Sequence, residues 1–185
     1  MREPSLLTAR LVLRDITELD ARSLLELDAD PEVMRYMGDR PATTIDWYRD
    51  RIRTVYMLNL SHPWHGIRII EDRTTGQFLG WIFIRPAIKA QFAAEIGWTD
   101  PNAEEIGYRL QQSAWGQGIA TEAATILLHI AENDPKTKSI VACAHAENAR
   151  SIRVVQKLGL LQVGNCFLDE CGKPVVKLEK ELHLQ

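Results

Sequence analysis

The 185-residue chain is 45% hydrophobic and carries a formal net charge of −3. This mild negative charge gives no overall attraction to nucleic acid or to an anionic membrane surface, and no apolar run approaches the roughly 20 residues that span a bilayer. A chain of this size buries roughly 70% of its unfolded surface, so we expect a single domain over 1–185. The three cysteines form neither a metal-ligand cluster nor an even disulfide set, which predicts reduced thiols in the cytoplasm.

The first half of the sequence predicts both strands and helices. Thr17 and Asp20 have the spacing of a capping box that opens a helix, and the composition of 72–76 is typical of a hairpin turn. The predicted elements, in chain order, are a strand at 8–14, a helix from Thr17 through Leu27, a short helix at 32–36 ended by Gly38, a helix from Ile45 to about Leu58, and strands at 64–71 and 77–85.

The second half predicts an alternation of strands and helices after an irregular segment. Asn148 is a good helix N-cap, and Gly159 stands where a helix commonly ends. The predicted elements are an irregular segment at 86–102, a strand at 104–110, a helix from Ile119 ended by 133–135, a strand at 139–145, a helix between Asn148 and Gly159, and strands at 161–168 and 174–182 around a turn at 170–172. This order predicts a mixed α/β fold.

A glycine-containing stretch, Trp115-Gly-Gln-Gly-Ile-Ala-Thr-Glu-Ala123, separates the strand at 104–110 from the helix after it. A glycine turn that opens a helix exposes N–H groups that the helix cannot satisfy, at the positive end of its dipole. Such an end suits a phosphate or a pyrophosphate. The stretch alone leaves a second interpretation open, a tight turn that needs glycine only for its backbone conformation.

Six segments, taken together, match one family. They are Thr8-Ala-Arg-Leu-Val-Leu-Arg14, Asp30-Pro-Glu-Val-Met-Arg-Tyr-Met-Gly38, Gly80-Trp-Ile82, Glu105-Ile-Gly-Tyr-Arg-Leu110, the glycine stretch 115–123, and Asn148-x-x-Ser151-x-x-Val-x-x-Lys157-Leu-Gly159. No single segment is decisive, but their joint order and spacing cover nearly the whole chain. The chain resembles the GNAT N-acetyltransferases, and within them the RimJ/RimL-type group that acetylates protein N-termini and other amines.

The resemblance implies a fold and a coenzyme. The implied fold is a mixed central sheet of about seven strands, flanked by helices and splayed where acetyl-CoA binds. Acceptor-side helices are implied at about 17–58 and the coenzyme-binding core at about 104–160. In the family the glycine loop binds the pyrophosphate through backbone N–H groups, and the pantetheine arm pairs along the edge of the preceding strand. The implied coenzyme contacts are Tyr108, Arg109, Leu110, Gly116, Gln117, Gly118, Ile119, Ala120, Thr121, Asn148 and Ser151.

Acyl transfer to an amine requires a neutral nucleophile, a polarised thioester carbonyl and a proton for the departing thiolate. Glu105 matches the family glutamate and is the first candidate for the base. The alternative is an ion-pair partner for Arg109, four positions away on the same face of the strand. RimJ/RimL-type members also imply Asp169 or Glu170 as the base.

The residue expected to protonate the departing thiolate differs from that of many GNAT enzymes. They place a tyrosine four residues before the glycine that ends the second helix, and Val155 occupies that position here. Ser151 matches the serine that RimJ/RimL-type members use near the coenzyme sulfur, so it is the candidate acid. Its alternative role is that of an ordinary serine in the first turn of a helix, and Asn148 has the alternative role of an N-cap.

The sequence therefore predicts an acetyl-CoA-dependent N-acetyltransferase that transfers the acetyl group directly to a primary amine, on a protein N-terminus or a small molecule. The alternative is a GNAT-fold module that binds acyl-CoA or a partner without turnover. We expect no metal and no nucleic-acid or membrane partner. We also expect a monomer or a homodimer, with an exposed edge among the C-terminal strands as the candidate dimer surface.

Overall fold

The computed structural model describes residues 5–37, 44–57, 62–168 and 173–182. Within these residues the strands are β1 (Ser5–Leu7), β2 (Leu11–Asp15), β3 (Gly66–Asp72), β4 (Phe78–Pro86), β5 (Ala103–Leu110), β6 (Ser139–His145), β7 (Leu161–Leu168) and β8 (Lys173–Glu181). The α-helices are α1 (Ala21–Ala29), α2 (Pro31–Met34), α3 (Ile45–Arg51), α4 (Ala93–Ile96), α5 (Ile119–Glu132) and α6 (Ala149–Lys157).

The strands form one sheet in the order β1-β2-β3-β4-β5-β6-β8-β7. Neighbouring strands are antiparallel except β5 and β6, which run parallel. β5 pairs with β4 as far as Leu110, but its register with β6 covers only residues 103–105. The two strands therefore diverge beyond Glu105, and a gap opens between them toward their carboxyl ends.

Helices cover both faces of the sheet. α5 and α6 pack over the largest hydrophobic cluster, which includes Ile106 of β5. On the opposite face, α1 and α3 cover a cluster around Ile69 of β3. The segment 87–98 covers a separate cluster around Val141 of β6 on that same face. Since side chains alternate along a strand, Glu105 faces the side of α1 and the segment 87–98, whereas Ile106 faces α5.

The predicted α/β class and splayed mixed sheet are confirmed, with eight strands instead of about seven. The predicted strand at 8–14 is wrong in its start, because the chain turns there and the Thr8 N–H donates to the Leu11 carbonyl at 3.0 Å. The strand on the far side of that turn, β1, pairs antiparallel with β2. An apolar alternation over a few residues cannot show where a hairpin turns.

Two further boundaries differ from the prediction. The helix predicted from Ile45 to about Leu58 leaves α-helical geometry after Arg51 and continues as a π-helix over Ile52–Tyr56. The segment 86–102, predicted as irregular, contains α4, which has only 4 residues and is too short to show a helical period. Gly38 and the turn at 170–172 lie outside the described residues.

The other predictions in the second half hold closely. The strands at 139–145 and 161–168 have the predicted bounds, and Asn148 caps α6. The exposed edge expected among the C-terminal strands is β7, because β8 lies between β6 and β7.

Candidate active site

The glycine stretch forms a tight turn that leads directly into α5. Gly116 and Gly118 have φ of 74° and 78°, a left-handed conformation that glycine adopts without strain. No side chain caps α5, and the N–H groups of residues 116–121 donate to no described residue. The turn therefore presents a run of unpaired donors at the positive end of a 14-residue helix, which is a favourable site for an anion.

Arg10, in the turn between β1 and β2, braces this loop from the outside. Its Nη1 donates to the Gln117 carbonyl at 3.0 Å, and its Nε donates to the Glu122 carboxylate at 2.7 Å. The Thr8 hydroxyl donates to the same carboxylate at 2.6 Å. Although partial burial opposes the effect, these hydrogen bonds lower the pKa of Glu122. The sequence interpretation did not find this brace, since its partners are 112 residues apart.

Backbone groups of β5 border the gap between β5 and β6. Just past the end of β5, the Gln111 N–H donates to the Leu79 carbonyl of β4. Just before β5 begins, the Asn102 carbonyl accepts from the Lys138 N–H, next to β6. Because N–H groups along a strand point alternately to its two neighbours, those of Tyr108 and Leu110 point into the gap. The N–H of Arg109, between them, points to β4.

The N-terminus of α6 faces the same gap. The Asn148 Oδ1 accepts from the Ser151 N–H at 3.1 Å, which confirms the N-cap and leaves the Asn148 amide NH₂ for another partner. The Ser151 side chain lies beside the Tyr108 phenol. Burial raises the pKa of Tyr108, although the nearby Ser151 partly opposes the rise, so the phenol keeps its proton at neutral pH. Val155 is buried in the hydrophobic cluster against which Tyr108 packs.

Glu105 lies where the gap begins and is only 4% exposed. Its Oε2 accepts from Arg85 Nε at 2.7 Å. Burial raises the pKa of Glu105, and the charge and hydrogen bond of Arg85 partly oppose the rise. Arg109, the partner considered from the sequence, instead pairs with Asp28. The alternative base residues, Asp169 and Glu170, lie outside the described residues.

The predicted residues thus fall into two groups. The structure brings the loop 116–121, Tyr108, Leu110, Asn148 and Ser151 together around one gap, with Glu105 where it begins. Arg109 is separated from them, because its guanidinium lies between Asp28 and the Trp81 ring, 5.1 Å from the ring centre. Among the described residues, no group of three or more His, Cys, Asp or Glu side chains could hold a metal ion.

Comparisons with known proteins agree on the family. The model of the acetyltransferase (GNAT) domain matches residues 10–161. The uncharacterized N-acetyltransferase p20 of Bacillus licheniformis is 29% identical over 86% of this chain and 84% of its own length. The structure of ribosomal-protein-S5-alanine acetyltransferase from Vibrio fischeri superimposes with a TM-score of 0.76, at 16% identity over 98% of both chains.

A further solved structure carries ligands. Spermidine N-acetyltransferase from Vibrio cholerae, in complex with CoA and spermine, superimposes with a TM-score of 0.70 at 15% identity, over 94% of this chain and 96% of its own. The chain is an enzyme of the acetyltransferase class, and it belongs to the GNAT acetyltransferase family. No helix in the described part of the chain is long and apolar enough to cross a membrane.

Proposed function

We propose that this enzyme binds acetyl-CoA in the gap between β5 and β6 and transfers the acetyl group directly to a primary amine. The observation that carries the proposal is the gap itself. It joins a run of unpaired N–H groups at 116–121 to a buried carboxylate, Glu105, along a strand edge with free backbone donors. A long thioester with a pyrophosphate at one end has the matching chemistry.

The groups in the gap supply each requirement of the reaction. The N–H groups of 116–121 bind the pyrophosphate, and those of Tyr108 and Leu110 are placed to bind the thioester arm and polarise its carbonyl. Glu105 takes a proton from the ammonium of the acceptor, directly or through water, and the neutral amine attacks the acetyl carbon. The bond from that carbon to sulfur breaks, the attacking nitrogen gives up its second proton to water, and the thiolate takes the Ser151 proton. The nearby Tyr108 phenol replaces it and is itself reprotonated from solvent.

A calorimetric titration with acetyl-CoA, followed by a thiol-release assay with a panel of amines, tests the proposal. We expect binding, and turnover that falls about 100-fold or more in Glu105→Gln, as for the loss of a general base. Glu104→Gln is the matched control. Glu104 precedes Glu105 on the same strand and is also buried, at 6% exposed. Its side chain points to the other face, where its Oε2 lies 3.0 Å from His65 Nε2.

The outcomes separate the candidate functions. Binding without thiol release for any amine would favour a non-catalytic acyl-CoA-binding module. No binding by folded protein would reject the proposal altogether. Membership of the RimJ/RimL-type group, the cytoplasmic location and the choice between monomer and homodimer stay predictions.

A further inference from the structure

One strip of the sheet lies on the face to which Glu105 points, between the helical segments that cover that face. On that face, α1 and α3 cover one hydrophobic cluster and the segment 87–98 covers the other. The register pairs Phe83 with Gly107 and Arg85 with Glu105, so these four residues present one face together, between the clusters. We call these four residues the Phe83–Glu105 strip.

The floor of the strip is an aromatic ring held in one place. A Cβ atom on Gly107 would lie 2.6 Å from the Phe83 ring, so the ring occupies the space above the glycine. The Arg85 guanidinium lies over the same ring, 4.8 Å from its centre. Stacking on the ring fixes the plane of the guanidinium and excludes water from one of its sides.

Arg85 presents unused donors on this floor. Its Nε is bound to Glu105, but its two terminal nitrogens make no hydrogen bond with a described residue. Its side chain is 32% exposed, so a ligand can reach it. A guanidinium fork of this kind binds a carboxylate through two parallel hydrogen bonds.

Glu105 presents the opposite charge beside it. Its Oε2 accepts from Arg85, whereas its Oε1 accepts from no described residue, although the residue is buried. A positive and a negative group thus lie side by side on an apolar floor. Their complement is a small zwitterion whose ammonium and carboxylate are also adjacent. A polycation would place a second positive charge against Arg85.

We infer that the acetyl acceptor is a free α-amino acid, with its carboxylate on Arg85 and its amine on Glu105. This inference rests on the proposed function, since Glu105 must face the reacting amine. It decides between the two acceptor classes that the sequence left open. A protein N-terminus has an amide where the free amino acid has the carboxylate, so it lacks the group that Arg85 binds.

The test compares each acceptor with its own amide. Acetyl-CoA is kept saturating, and initial rates of thiol release are measured for the protein L-amino acids, for their primary amides and for spermidine. We expect the best amino acid to exceed its amide at least about tenfold in kcat/KM, as for the loss of a charge-assisted hydrogen bond. In Arg85→Gln this acid-to-amide ratio should fall to about one, and in Arg85→Lys it should be intermediate.

The ratio is internal to each variant, so a loss of stability does not imitate the result. Arg53→Gln is the control, because Arg53 also pairs with a glutamate, Glu18, but on the exposed surface at 2.9 Å. If amides or spermidine are acetylated as efficiently as amino acids, the inference is wrong, but the proposed acetyltransferase function stands. A ratio that survives in Arg85→Gln would overturn it as well. Absence of both acetyl-CoA binding and thiol release would reject the proposed function and the inference together.

Discussion

Gly116→Ala is the most direct probe of the phosphate-binding loop. Gly116 has φ of +74°, and a Cβ atom built on it meets no other heavy atom within 4 Å. The substitution therefore adds backbone strain, about 1–2 kcal/mol for a left-handed alanine, without a steric clash. At about 2–4 °C per kcal/mol for a chain of this length, Tm should fall by about 2–8 °C.

Gly76→Ala is a matched control. Gly76 has φ of +71° and equally open surroundings, but it lies in the turn between β3 and β4. Both variants should lose similar stability in thermal unfolding. Only Gly116→Ala places a methyl group beside the unpaired N–H groups of 116–121, so only this variant should bind acetyl-CoA about tenfold or more weakly, a loss of about 1.4 kcal/mol.

Calorimetric titration of the two variants and the wild type decides the matter. Equal affinity in all three, with similar losses of Tm, would refute the placement of the pyrophosphate on this loop. Gly118 is a poorer probe, because its Cβ would lie 3.6 Å from the Arg10 guanidinium. A bulky side chain there would disturb the brace before it reached a ligand.

Three further predictions concern the surroundings of the site. Burial raises the pKa of Glu105 above its usual 4.5, so the stability of wild type relative to Glu105→Gln should decrease as pH rises from 4.5; urea unfolding at several pH values measures this, and a constant difference would contradict it. Arg10→Ala should weaken acetyl-CoA binding in calorimetry while costing no more than about 1 kcal/mol of stability, because the Arg10 side chain is 49% exposed; unchanged affinity would show that the brace is dispensable. Gly107→Ala should displace Phe83, lower stability by about 1–3 kcal/mol and reduce turnover. Phe83→Leu added to that variant should restore part of the Tm. A Gly107→Ala variant as stable as wild type would argue against the contact.

The ion pairs in the site could not be predicted from the sequence. From the sequence, Arg109 was the natural partner of Glu105, since the two share a face of one strand. The structure instead pairs Glu105 with Arg85, 20 residues away, and Arg109 with Asp28, 81 residues away. Directly opposed residues on antiparallel strands lie closer than residues four apart on one strand. That choice requires the register of β4 on β5, which no local pattern gives.

Features that depend on neighbouring residues were readable from the sequence. The glycine turn into α5, the Asn148 cap and the strand at 139–145 each follow from backbone conformation, capping or periodicity over a few residues. The divergence of β5 from β6, by contrast, followed from the family resemblance and not from any local pattern.

The α/β class, the order of most elements and the loop that opens α5 can be read from the sequence, because they depend on interactions within a few residues. The polar groups that meet in the site, by contrast, are known only from the folded sheet. It brought Arg10 to the loop, Arg85 to Glu105 and Tyr108 to Ser151. Such contacts depend on strand register and on burial, which are properties of the assembled sheet.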